Sequence, residues 1–187
     1  MHETAEGLHA AEAMDERRMR EFDDLCLTPM PTTTEIGTPQ FSIRSIEVAD
    51  AAAAAALCAE LGYPVSTTVL EQRIRALSTL SDHAVLVACL EDGRVAGWID
   101  VSITHHLPAE PYGEIGGLVV SEDVRGQGIG RELLAAAERW TSKRGIGQAL
   151  VRSRVVRERA HRFYLREGYS HTKTSAVFIK PLPAGRD

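Results

Sequence analysis

Beyond residue 40 the chain alternates between two hydrophobic patterns, one with the period of a β-strand and one with that of an α-helix. Apolar and polar side chains alternate over residues 41–47, which predicts a short strand. Two apolar runs flank the turn residues Glu91-Asp92-Gly93-Arg94 and predict a β-hairpin. The predicted strands are 41–47, 83–90, 95–103, 113–120, 148–153 and 176–182.

Helical spacing of apolar residues marks the segments between these strands. The alanine-rich run after Asp50 is predicted to be a helix that this aspartate caps and that Gly62 and Pro64 end. The predicted helices are 51–61, 67–80, 129–144 and 157–167. This order of helices and strands predicts an α/β sandwich with a mixed sheet.

The first 40 residues differ in charge from the rest and are predicted to form an acidic N-terminal extension and linker. They carry nine Asp or Glu against three Arg, whereas residues 41–187 carry 17 acids against 18 Lys or Arg. The proline- and threonine-rich stretch 28–34 is typical of a linker. The predicted folded domain is therefore 41–187.

The composition is that of a soluble single-domain protein. Of 187 residues, 44% are hydrophobic and 25% are charged, which suffices for one core. The three cysteines form no CxxC pair, which argues against a disulfide framework or a cysteine zinc site. No metal is therefore predicted. Because no apolar run reaches the ~18–20 residues that cross a bilayer, a cytoplasmic protein is predicted.

Positive charge is concentrated in the second half of the chain. Between Arg125 and Arg166, eleven Lys or Arg accompany only three acids. This concentration favours an anionic, phosphate-bearing ligand, although a solvated basic face has the same composition. Because the whole chain has a net charge of −5, nucleic acid is not predicted as a partner.

A glycine-rich turn lies in this basic stretch, between a predicted strand and a predicted helix. It reads Arg125-Gly126-Gln127-Gly128-Ile129-Gly130-Arg131. Glycines let the backbone approach a ligand, and the unpaired N–H groups of the first helical turn suit a pyrophosphate. A Walker A loop needs Lys after its last glycine and a dinucleotide loop needs glycine at position 131, so neither motif is present.

The remaining pattern, Arg-x-x-Gly-x-Gly, resembles the acyl-CoA loop of the GNAT superfamily of N-acetyltransferases. The segment 160–169, AHRFYLREGY, is similar to the family's A-x-x-F-Y-x-x-x-G-F/Y motif. Both motifs look most like those of bacterial aminoalkylphosphonate and aminoglycoside-type enzymes. The resemblance covers nearly all of the chain beyond residue 40. It implies a largely antiparallel mixed sheet flanked by helices, with acyl-CoA in a cleft between two splayed strands.

The resemblance also implies a reaction, in which a primary amine directly attacks the thioester of acetyl-CoA in a ternary complex. Tyr164 matches the family's general acid, and Glu114 stands where a general base is often found. A backbone N–H near Leu118 or Val119 would polarise the thioester oxygen. The implied cofactor contacts are Leu118, Val119, Val120, Arg125, Gly126, Gln127, Gly128, Ile129, Gly130, Arg131, Arg157 and Tyr164.

Several of these residues also have a simpler interpretation. Arg157 stands where many members carry an asparagine that contacts pantetheine, so this contact is changed. Glu114 is explained equally well as a surface carboxylate. His161 is an alternative group for the amine proton, since imidazole suits proton transfer near neutral pH, but a helical histidine is more often packed. Water alone is the third alternative for this proton. The pair His105-His106 has no acidic partners at metal-ligand spacing. The candidates for an acceptor pocket are Tyr63, Trp98, Asp100 and Tyr112.

The acceptor is predicted to be the primary amine of a small molecule. The arginine-rich segment would suit a phosphonate, whereas Asp100, Glu110 and Glu114 would suit a polycationic aminoglycoside. One alternative is acetylation of a protein N-terminus or lysine. Another is a non-catalytic acyl-CoA-binding sensor or partner module. A homodimer is also predicted.

Overall fold

The computed structural model describes residues 40–182 of the chain. Their strands are β1 (Phe41–Ser45), β2 (His83–Leu90), β3 (Val95–His106), β4 (Ala109–Val120) and β5 (Ala149–Val151). Their helices are α1 (Ala51–Glu60), α2 (Thr67–Leu77), α3 (Ile129–Ser142) and α4 (Glu158–Arg166), with short 3-10 turns at Val48–Asp50 and Glu122–Val124. Except for Gln40, the predicted extension lies outside the described residues.

The five strands form one sheet in the order β1-β2-β3-β4-β5. Strands β1 to β4 pair with one another in antiparallel fashion, and β5 is parallel to β4. The parallel pair is possible because α3 carries the chain back between β4 and β5. This confirms the predicted mixed, largely antiparallel sheet flanked by helices. No helix within residues 40–182 is long and apolar enough to span a membrane.

The pairing between β4 and β5 is short, and it leaves half of β4 without a neighbour on that side. The paired residues of β4 are Gly113, Glu114 and Ile115, whereas the strand continues to Val120. Gly116 is an extra residue in the β3–β4 ladder, because Asp100 pairs with Gly117 and the next residue of β3 pairs with Ile115. This β-bulge marks the point at which β4 and β5 part.

The main core lies between α3 and the sheet. The apolar side chains of α3 recur at helical spacing on one face, as a helix lying on a sheet requires. They pack against Ile99 and Val101 of β3 and Ile115 of β4. These core positions of α3 are Ile129, Leu133, Leu134 and Ala137, each at most 2% exposed. On the other sheet face, Leu57 of α1 packs against Val87 and Val119.

The predicted strand 176–182 is wrong. These residues form no regular secondary structure, and Val177, Phe178 and Ile179 are 79%, 92% and 88% exposed. A strand needs a partner for its backbone hydrogen bonds. Within the described part of the chain the sheet ends at β5, which has only three residues. The apolar pattern of residues 176–182 therefore has no ladder to join here.

Asp50 has a different role from the predicted helix cap. It occupies the N-cap position of α1, but its side chain caps no N–H group of that helix. Its carboxylate instead accepts two hydrogen bonds from Arg44, at 2.7 and 2.8 Å, and one from the backbone N–H of Glu47, at 2.8 Å. The side chain of Asp50 is only 9% exposed. This arrangement ties β1 to the start of α1.

We expect Asp50→Asn to lower the free energy of unfolding by about 2 kcal/mol at neutral pH, because a bidentate charge-assisted pair is lost. The hydrogen bonds from Arg44 hold the pKa of Asp50 below its ordinary value. The pair therefore stabilises the fold above the unfolded-state pKa of about 4, and its contribution falls as the pH drops through the folded-state pKa. Urea unfolding at neutral and acidic pH measures this difference.

The matched control is Glu91→Gln, because Glu91 is an exposed carboxylate in the β2–β3 turn. This variant should unfold like the wild type at both pH values. A stability difference for Asp50→Asn that is unchanged at acidic pH would show that the charge of the pair is not what stabilises the fold.

Candidate active site

A cavity of about 480 Å³ opens where β4 and β5 part, and α1 and α2 close its other side. Gly116, Gly117 and Leu118 line it from β4. Trp98 and Asp100 line it from the neighbouring strand β3. The lining from the remaining elements includes Cys58, Leu61, Tyr63, Leu70, Arg73, Ile74, Leu77, Val151, Arg152, Ser153, Arg154, Arg157, Ala160 and Tyr164.

The glycine-rich turn connects β4 to α3 and exposes a row of backbone donors. Gly126 and Gly128 have φ angles of +85° and +86°, a region that glycine adopts without the strain a side chain causes. No backbone N–H of residues 126–131 donates a hydrogen bond to another described residue. Since Gly128 is also the N-cap of α3, the helix dipole adds positive potential at these amides. The turn therefore fits a pyrophosphate.

The two arginines of this turn differ in what they bind. Arg125 donates from Nε to the carbonyl oxygen of Val120, at 2.9 Å, and from Nη1 to Glu122, at 2.7 Å. Its guanidinium thus holds the turn against the end of β4. Arg131 is 73% exposed, and its Nε lies 3.6 Å from a carboxylate oxygen of Glu167. Of the two, Arg131 is the one whose charge faces solvent at the rim.

The backbone of β4 presents alternate residues to the open edge of the sheet. The N–H of Ser121 donates to Ala96 on the β3 side, at 2.8 Å, whereas the carbonyl oxygen of Val120 faces Arg125 on the other side. Because strand backbone groups alternate in direction, Leu118 points its groups to the same open edge as Val120. Val119 is 5% exposed and packs in the core. An extended ligand could pair with β4 here.

Tyr164 is brought to the cavity by the amphipathic helix α4. It lines the cavity together with Ala160, one turn earlier. Both Tyr164 and its neighbour Phe163 pack against the main core, but Phe163 lies next to Gly130 and does not line the cavity. Burial raises the pKa of Tyr164 to about 12, an effect that the nearby charge of Arg157 partly opposes. The phenol thus keeps its proton at neutral pH, and its hydroxyl bonds to no other described residue.

Glu114 does not line this cavity. Its carboxylate forms an ion pair with Arg152 and accepts a hydrogen bond from Thr104 Oγ1, at 3.2 Å. Arg152 also donates to the hydroxyl of Tyr112, at 3.1 Å, and His106 Nε2 lies 3.0 Å from the same hydroxyl. The structure therefore places Glu114 in a polar network across β3, β4 and β5, apart from Tyr164.

The other candidates divide between the cavity and the fold. Tyr63, Trp98 and Asp100 line the cavity, whereas Tyr112 is buried in the network of Glu114. Arg157 lines the cavity and donates to the carbonyl oxygen of Leu61, at 2.9 Å. His161 Nε2 lies 3.1 Å from the carbonyl oxygen of Arg154, as expected of a packed helical histidine. Residues 40–182 contain no cluster of metal-ligating side chains.

Sequence reasoning missed two side chains at the site. Arg73 lines the cavity from α2, and His83 of β2 lies beside Asp100. Neither belongs to a motif. Helical spacing indicated the apolar face of α2, which would have placed Arg73 next to that face but not in a cavity. The position of His83 depends on the register between β2 and β3.

Comparisons with known proteins agree with this geometry. The sequence model of the Acetyltransferase (GNAT) family matches residues 49–169. An aminoglycoside N(6')-acetyltransferase type 1 of Stenotrophomonas maltophilia is 33% identical over 145 residues, which are 75% of this chain and 94% of the relative. An aminoalkylphosphonate N-acetyltransferase of Salmonella typhimurium is 43% identical over 84 residues, which are 44% of this chain and 54% of the relative.

A solved structure shows the same fold. The aminoglycoside N-acetyltransferase AAC(6')-Iy, in complex with the bisubstrate analogue CoA-S-monomethyl-acetylneamine, superposes with a TM-score of 0.67 at 18% identity. The superposition covers 76% of this chain and 99% of that one. The matched range 49–169 contains the glycine-rich turn and Tyr164, which confirms the predicted family and, with it, acetyl-CoA as the co-substrate. The chain belongs to the acetyltransferase (GNAT) family, whose enzymes transfer an acetyl group to an amine.

Proposed function

We propose that the protein acetylates the primary amine of a small molecule, by direct attack of the amine on acetyl-CoA in a ternary complex. One observation carries this proposal: a single cavity contains the open edge of β4, the hydroxyl-bearing Tyr164 and, on the α1 and α2 side, a largely apolar wall with one charged residue, Arg73. The two curated relatives are named as acetyltransferases of small amines, which supports the same acceptor class. The cytoplasmic location, the homodimer and the boundary at residue 40 stay predictions.

The residues at the open edge of β4 fit acetyl-CoA. The free amides of residues 126–131 are suited to the pyrophosphate. The backbone groups of Leu118 and the N–H of Val120 are suited to the amide-bearing pantetheine arm, since the carbonyl oxygen of Val120 already accepts a hydrogen bond from Arg125. The bound co-substrate supplies the acetyl group as a thioester. A backbone N–H near Leu118 would polarise the thioester oxygen.

Tyr164 would donate a proton to the sulfur that leaves when the new amide forms. Its raised pKa keeps the phenol protonated in the resting enzyme, which a general acid requires. Glu114 stays a prediction as the general base. The observed bonds from Arg152 and Thr104 occupy both of its carboxylate oxygens, and they favour a structural role for it.

The charges around the cavity favour an acceptor that carries an anionic group. Four arginines line it, Arg73, Arg152, Arg154 and Arg157, against the single carboxylate of Asp100. Arg152 is neutralised by Glu114, but the remaining excess is still positive. A polycation would be repelled by this excess, whereas an amine with a phosphonate or carboxylate group would be attracted. Aminoalkylphosphonates, which the name of one relative gives as its acceptors, belong to this class.

The direct test is the release of free thiol from acetyl-CoA against a panel of amines. The panel consists of 2-aminoethylphosphonate, glutamate, spermidine, an aminoglycoside and a lysine peptide. We expect the anionic amines to give the highest kcat/KM. No turnover with any of them, alongside measured CoA binding, would contradict the proposed reaction. Highest turnover with spermidine or the aminoglycoside would contradict the charge argument alone.

The variant Arg73→Gln tests the charge of the acceptor side. We expect KM for the anionic amine to rise about tenfold with little change in kcat, because a binding charge is lost while the reacting groups stay. Arg75→Gln is the matched control on the same helix, since Arg75 is exposed and pairs with Glu71 at 3.4 Å. Equal KM values for the two variants would exclude a role for Arg73 in binding the acceptor.

The variant Tyr164→Phe tests the general acid. We expect kcat to fall about 100-fold or more with an unchanged Kd for CoA, because only the proton donor is removed. Tyr169→Phe is the control, because it also removes one hydroxyl, but that hydroxyl donates to Glu138 at 2.9 Å and lies outside the cavity. If both variants lost activity equally, the effect would be one of packing.

The variant Gly128→Ala tests the turn. A side chain at a φ of +86° costs roughly 1–2 kcal/mol in strain and shifts the amides that would bind the pyrophosphate. We expect the Kd for CoA to rise at least tenfold. Gly93→Ala introduces the same strain in the β2–β3 turn, where φ is +82°, and should leave the Kd unchanged. Calorimetric titration of CoA compares the two variants.

A further inference from the structure

Asp100 and His83 form a pair on the sheet face that borders the cavity. Val85 of β2 pairs with Asp100 of β3, so His83, two residues before Val85, lies on the same face and diagonally across from Asp100. His83 Nε2 is 3.2 Å from Asp100 Oδ1. The histidine side chain is 16% exposed and the aspartate 28%, and the aspartate lines the cavity.

The bulge in β4 makes room for this carboxylate. A Cβ atom at Gly116 would lie 2.9 Å from Asp100 Oδ1, closer than real Cβ atoms approach an oxygen. Gly116 is also the residue at which β4 leaves β5. Asp100 therefore sits over the first residue of the open edge, beside the site proposed above for the thioester. An amine that bonds to Asp100 would be close to that edge.

The surroundings of the pair suit a group that takes up and releases a proton. Burial raises the pKa of Asp100, and the neighbouring His83 partly opposes this effect. His83 Nε2 is buried, and within residues 40–182 it has no well-directed hydrogen bond. The other charged or titratable side chains lining the cavity are Cys58 of α1, Tyr63 between α1 and α2, Arg73 of α2, Arg152, Arg154 and Arg157 after β5, and Tyr164 of α4.

We propose that Asp100 is the catalytic residue that accepts the proton of the acceptor ammonium, and that His83 is the positioning residue that relays this proton away from the cavity. The inference rests on the proposed function. It gives the base a place inside the cavity, opposite the bulge, which the bonded carboxylate of Glu114 lacks.

The protons balance in this scheme. An N–H bond of the ammonium breaks and an O–H bond forms on Asp100, which leaves the electron pair on nitrogen. Nitrogen then bonds to the acetyl carbon, the carbon–sulfur bond breaks, and Tyr164 protonates the sulfur. The surplus proton on the new amide nitrogen replaces the one that Tyr164 has lost. One proton per turnover thus passes from Asp100 to His83 Nε2, and the imidazole releases a proton from its other ring nitrogen, Nδ1.

The test uses the panel amine with the highest wild-type turnover, and compares Asp100→Asn with Glu114→Gln. We expect kcat/KM of Asp100→Asn at neutral pH to fall about 100-fold or more, and its residual activity to increase steadily with pH as the free amine becomes available. Glu91→Gln, at the exposed carboxylate of the β2–β3 turn, is the control and should match the wild type, whereas Glu114→Gln tests the rival base. The melting temperature and the Kd for CoA of each variant report whether fold and cofactor binding are intact.

The variant His83→Gln separates a relay from a structural role. Because His83 lowers the pKa of Asp100, its removal should raise that pKa and move the acidic limb of the kcat/KM profile to higher pH. A merely structural histidine would lower activity at every pH without moving the limb, and this result would remove His83 from the proposal.

The possible results separate the proposed function from the proposed role of Asp100. A wild-type enzyme that turns over no amine contradicts the proposed function and, with it, this inference. A wild type that turns over an amine while Asp100→Asn keeps its activity contradicts the inference alone. Loss of activity in Glu114→Gln at an intact melting temperature would assign the base to Glu114 instead.

Discussion

The site depends on one constraint, which is that β4 loses its neighbour halfway along its length. After Ile115 no residue of β5 pairs with it, yet the strand continues in regular geometry to Val120 because β3 still holds its other edge. Unpaired backbone groups in a cleft are costly unless a ligand satisfies them. The open edge and the free amides of the following turn form one continuous row of donors and acceptors for an extended, phosphate-bearing ligand.

The separation of β4 and β5 also determines which arginine side chains line the cavity. Because β5 diverges, the arginines that follow it, Arg154 and Arg157, line the cavity instead of the outer face. Arg152 also lines the cavity, but its ion pair with Glu114 bridges β5 and β4 just before they separate. Arg125 closes the far end by bonding the carbonyl oxygen of Val120. The sequence alone does not distinguish these four arginines. In the structure, Arg152 mainly holds the two strands together and Arg125 mainly holds the turn.

Side chains near one another in sequence also took different roles. Phe163 and Tyr164 are adjacent and both pack against the main core, but of the two only Tyr164 also lines the cavity. The sequence alone could not show which of the two carboxylates, Glu114 or Asp100, faces the cavity. Both are carboxylates on strands, and the partners that decide between them, Arg152 and His83, come from other parts of the chain.

The sequence by itself determined most of the strand and helix order and the glycine-rich turn, because these depend on local periodicity and on backbone freedom at glycine, whereas Tyr164 was identified through the resemblance to the family. The sequence pattern misassigned residues 176–182, since apolar alternation shows that a segment can form a strand and not that a partner is present. Only the tertiary structure decided which carboxylate faces the cavity. That choice depends on the β2–β3 register and on the bulge at Gly116, both of which arise from contacts between distant residues.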